Sequence, residues 1–135
     1  MEKRKESNLM DRTTSGHNMI SSDRVQGTYV YGPGGEQVGT IDHLMIEKVS
    51  GRVAYAVMSF GGFLGLGESH YPVPWSALKY DTSLGGYVTG ITESQLKNAP
   101  QHSESSWGDR AWETRVHEHY KAPVYWDERA ASQTF

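Results

Sequence analysis

Residues 52–60, Arg-Val-Ala-Tyr-Ala-Val-Met-Ser-Phe, place Val53, Tyr55 and Val57 on one side of an extended chain and Ala54, Ala56 and Met58 on the other. Both sides are apolar, and one carries mostly the larger side chains. A strand patterned in this way suits the wall of a small closed or curled sheet. Ser50-Gly51 ahead of it reads as a hairpin turn, and the run Gly61-Gly62-Phe63-Leu64-Gly65-Leu66-Gly67 behind it reads as an irregular connection. The 15 glycines of the 135-residue chain fall largely between β-branched and aromatic runs, where turns and close backbone approach need them.

The rest of the pattern agrees. Structure is expected to begin near Ile20, with Val25, Tyr29 and Val30 marking a first strand and Gly32-Pro33-Gly34-Gly35 a turn. A longer strand is expected over residues 37–49, where Val38, Leu44 and Ile46 fall on one side and Ile41 and Met45 on the other. An extended run over 68–73 is bracketed by Pro72 and Pro74, which cannot donate to a ladder and so place it at a sheet edge. Short strands follow at 78–80 and 86–89. Thr92 with Gln95 three residues on predicts a brief capped helix over 93–98, stopped by Pro100. Residues 101–108 read as a polar linker. Asp109 then caps a helix over 110–121 that presents Trp112, Val116 and Tyr120 as a narrow stripe for docking on the barrel or on a second subunit.

Composition removes several function classes. The chain has no cysteine, which excludes disulfides, thiolate metal sites and cysteine nucleophiles. A formal net charge of -3 gives no broad cationic field for nucleic acid or anionic lipid. No stretch is long and apolar enough for a membrane span, and no apolar signal region follows the charged N-terminus, so a cytoplasmic location is expected. Residues 1–18 are polar without periodicity and are expected to form a disordered tail.

The segments VQGTYVYGPGGEQVGTIDHLMIEKVSGRVAYAVMSFGGFLGLG and HYPVPWSALKYDTSLGGYV together resemble the PRC-barrel family, named for the cytoplasmic barrel of the photosynthetic reaction centre H subunit. Within them Val38-Gly39 with Ile41-Asp42, Gly51-Arg52-Val53 with Tyr55-Ala56-Val57, and Pro72-Val73-Pro74-Trp75-Ser76 with Leu78 carry the likeness. The resemblance implies a mainly β fold: a PRC-type barrel over residues 19–100, between the tail and a linker and C-terminal helical extension over 101–135. It implies assembly roles and no defined reaction. The family's known settings are the reaction-centre subunit and a ribosome-maturation factor. This chain is more similar to stand-alone bacterial members, including in TRVHEHYKAPVYW.

The glycine run lacks the Gly-Lys-Ser/Thr of a phosphate loop. His117 and His119, two apart on a helix, point away from each other and cannot share one ion, while Glu113 and His117 read as a surface i,i+4 contact. Asp42, His43, Glu68 and His70 are candidate proton-transfer groups, and Ser59, Ser69 and Ser76 lack a nucleophile elbow. Tyr55, Tyr71, Tyr80 and Tyr87 could stack bases but lack interleaved cations, so nucleic acid is not the expected partner. Trp75 reads as core.

The expected function is therefore a non-catalytic protein-binding or assembly module. No cofactor and no metal are expected, and Phe63, Leu64, Leu66, Tyr125 and Trp126 are the candidate partner contacts of a homo-oligomer, a dimer by preference. The alternatives are a small-molecule or metal-binding protein with enzymatic activity, and a ribosome- or RNA-associated factor.

Overall fold

The computed structural model describes residues 18–60 and 70–127. The first element is not the strand expected around Val25 but a single helical turn, α1 (Ser22–Val25). Ser21 Oγ donates to Asp23 Oδ1, and the Arg24 and Val25 amides return to the Ser21 carbonyl. These local hydrogen bonds outcompete the β preference of one valine. Gly27, at φ 82°, then turns the chain into β1 (Tyr29–Tyr31).

β2 (Gln37–Ile46) and β3 (Val53–Ser59) form the central hairpin, followed by β4 (His70–Pro74), β5 (Leu78–Asp81) and β6 (Gly86–Thr89). They make one six-stranded sheet in the order β4-β3-β2-β1-β6-β5. Every pairing is antiparallel except β1 with β6, where Val30 lies opposite Tyr87. The register of β2 against β3 shifts between Ile41 and His43 and again between Met45 and Ile46. Such irregularities bend a strand and raise its twist, which lets β2 curl across the sheet. Gly39 permits the tight approach there, since a Cβ on it would lie 2.4 Å from the Ser59 carbonyl oxygen.

β4 and β5 are the sheet edges, as the prolines of β4 require. A 3-10 turn, Trp75–Ala77, joins them and drives Trp75 into the core, where its ring meets Tyr87 at 5.3 Å. Val30, Ile41, Met58, Val73 and Leu78 complete that interior. α2 (Glu93–Lys97) carries the full capping box between Thr92 and Gln95. The linker is more structured than its composition suggests: Ser103 and Ser106 cap each other around a 3-10 turn, Glu104–Ser106, which brings Trp107 onto the sheet. α3 (Arg110–Tyr120) starts at Asp109, whose carboxylate accepts from the Ala111 and Trp112 amides, and ends with Lys121 in the left-handed region at φ 56°. None of the described helices is long and apolar enough to cross a membrane.

Candidate functional site

β3 is buried through its whole centre, on both sides, because α3, Trp107 and the chain that follows α3 cover the side that carries Tyr55. The Tyr55 ring lies 5.5 Å from Trp107, 5.9 Å from Trp112, 5.4 Å from His117 and 5.8 Å from Tyr125, measured between centroids. Its hydroxyl donates to Glu113 Oε1 at 2.8 Å. Burial and the adjacent carboxylate hold the Tyr55 phenol well above the usual tyrosine range.

Glu113 and His117 are only 3% and 2% exposed, which corrects the expectation of a surface pair. They do not interact as side chain with side chain in the expected manner: His117 Nδ1 donates to the Glu113 backbone carbonyl at 2.7 Å. Arg110 holds the junction from its rim. Its Nε lies 3.9 Å from Glu113 Oε2, and its guanidinium sits 3.7 Å above the Trp126 ring. The Tyr125 phenol also bonds to Glu113 and, chiefly through burial, is pushed up to about 12. Arg52 Nη1 donates to the Tyr125 carbonyl at 2.8 Å and ties this tail to the β2–β3 hairpin.

Tyr125 and Trp126, expected as partner contacts, are thus half-buried against their own chain. Phe63, Leu64 and Leu66 lie outside the described residues, as do Glu68 and Ser69. His117 and His119 diverge as expected, His119 Nε2 donating to the Gln95 carbonyl at 2.7 Å. Tyr55 and Tyr87 are core residues, so the four tyrosines form no exposed stacking platform.

The candidate proton-transfer groups do assemble. Asp42, beside the first irregularity of β2, holds His43 Nδ1 at 2.7 Å from Oδ2 and His70 Nε2 at 3.8 Å from Oδ1. All three side chains are open to solvent, where a carboxylate between two imidazoles can relay a proton but has no dry pocket in which to direct one. Among the described residues no group of three His, Cys, Asp or Glu side chains is arranged to hold a metal ion. A cleft of about 570 Å³ runs beside β5 and β6, lined by Ser76, Lys79, Tyr80, Asp81, Val88 and Thr89.

A sequence profile of the family described as PRC-barrel domain matches residues 17–96, which take in all six strands and α2 up to Leu96. The chain belongs to the PRC-barrel family. A relative from Deinococcus radiodurans, an uncharacterized protein, is 29% identical over 76 residues, or 56% of this chain. The chain spans 27% of that relative's length. Among solved structures, one from Pseudomonas aeruginosa, described as a 16S ribosomal RNA processing protein RimM, is 17% identical with a TM-score of 0.37. That likeness covers 60% of this chain and 49% of the other. The profile match ends before α3, so Glu113, His117, Tyr125 and Trp126 lie beyond the matched PRC-barrel residues.

What the sequence reading missed is the Tyr55–Glu113–His117 junction. A signal was present: Glu113 and His117 each follow a member of the Trp112, Val116, Tyr120 stripe, so the buried face of α3 is wider than its apolar residues alone.

Proposed function

We propose that this PRC-barrel protein is a non-catalytic docking module that works by protein–protein contact, first of all with a second copy of itself. The supporting observation is the exposed apolar tip of the β2–β3 hairpin, where Ile46 is 51% and Val49 94% exposed. Two exposed apolar side chains carried on one hairpin favour burial against another surface. Meanwhile the Glu113 carboxylate and the Tyr55 phenol, which could have supported catalysis at the junction, are engaged with each other in holding α3 to the barrel. The Phe63-Leu64-Gly65-Leu66 segment remains a second candidate contact.

Multi-angle light scattering over a range of concentrations tests this reading. A dimer mass is expected, and Ile46→Asp with Val49→Asp should shift the protein to monomer while its far-ultraviolet circular dichroism stays unchanged. A dimer that survives this change but dissociates with Leu64→Asp and Leu66→Asp would place the contact on the glycine-rich segment instead. A monomer at every concentration would overturn self-association.

A further inference from the structure

We propose that α3 and the chain after it as far as Trp126 form an acid-released strap over the Tyr55 face of β3, with His117 as its proton sensor. The proposal stands independently of the docking role above. The tautomer of His117 is fixed by its surroundings. A carbonyl oxygen can only accept, so the 2.7 Å contact with the Glu113 carbonyl fixes the ring hydrogen on Nδ1. The lone pair is then on Nε2, which is buried and has no hydrogen-bond partner.

A proton taken up by His117 must go onto that nitrogen. It would create a buried cation whose new N–H group faces no acceptor, within a ring of Tyr55, Tyr125 and Trp126 side chains. Arg110 already occupies the face of Trp126 and adds a second positive charge nearby. The anion facing His117 is Glu113 on its own helix, and that carboxylate is already held by the Tyr55 hydroxyl, by Tyr125 and by Arg110. From β3 the titratable neighbour is Tyr55 and from the tail Tyr125. β4 faces α3 through Tyr71 beside Tyr120, both phenols.

Burial lowers the affinity of His117 for a proton, and it outweighs the opposing pull of the Glu113 carbonyl and carboxylate. A histidine whose folded pKa is depressed contributes docking strength that is complete above its free value of about 6.5. That contribution is lost as the pH falls from there toward the folded value. The strap yields rather than the barrel because its attachments are side-chain contacts and single bonds, such as Arg52 to the Tyr125 carbonyl and His119 to the Gln95 carbonyl, whereas β3 is paired along its length on both edges. Release would bare Tyr55 and Trp112.

Amide hydrogen exchange, expressed as protection factors, is followed on the full chain from about pH 7.5 to about pH 5 together with the His117 ring resonance. Protection over residues 110–120 is expected to fall by up to about tenfold per pH unit below about pH 6.5, the slope of one-proton linkage, while β3 keeps its own. His117→Phe should abolish the differential loss, and His119→Gln should retain it. An α3 that holds its protection in the wild type, or that loses it equally in His117→Phe, overturns the proposal. Should His117→Phe fail to fold, the wild type decides alone: helix loss must track protonation of the His117 ring, and loss at a different pH refutes the sensor.

Discussion

One phenol joins the two layers of this molecule. Tyr55 comes from the middle of β3, yet its hydroxyl satisfies a carboxylate 58 residues further along the chain. Tyr55→Phe keeps the ring and removes that donor, leaving the buried Glu113 short of a partner. The expected loss is about 1–3 kcal/mol in denaturant melts, with the barrel otherwise native. Trp75→Ala empties a buried aromatic site against Tyr87 and is expected to cost about 3–5 kcal/mol by the same measurement. A loss under about 1 kcal/mol would mean that Trp75 is not a core anchor. These two residues differ in how readable they are. Trp75 follows a proline that fixes its direction, so its burial is written locally. Glu113 is buried only because a distant strand supplies Tyr55, and a charged residue judged by its neighbours alone is assigned to solvent.

At the level of elements, the β ladder and both longer helices can be read from turn residues, alternation and caps. Thr92 and Asp109 start their helices where their side chains can accept from free amides. Asp109→Ala removes two such bonds and is expected to destabilise the protein by about 1 kcal/mol, with the first turn of α3 exchanging fastest. What could not be read are the features that depend on a partner strand or on a competing local side-chain bond. The irregularities of β2 are set by its register against β3, and α1 arises from side-chain bonds that compete with extended structure. Gly39 belongs with them: nothing in its own segment shows that the Ser59 carbonyl oxygen lies where a Cβ would go. Gly39→Ala should force β2 and β3 apart and lower stability by about 1–3 kcal/mol, seen as an earlier thermal transition.

Across the whole molecule, the junction between sheet and helix rests on aromatic packing and one buried carboxylate, without a metal cluster among the described residues. Treatment with EDTA should therefore leave the melting temperature unchanged, and a drop reversed by zinc would contradict this account. The parallel pairing of β1 with β6 has a consequence for biosynthesis. As the chain emerges from the ribosome, β1, β2 and β3 can pair early, but the second edge of β1 waits for β6, far along the chain, since Val30 meets Tyr87. Long-range pairing of this kind is slow to form. The side of β3 that carries Tyr55 waits longer still, because Trp112, Tyr125 and Trp126 are made after every strand. A nascent barrel thus passes through an interval in which its sheet is complete and its aromatic face is bare, the stage at which this protein is most open to chaperone capture or aggregation.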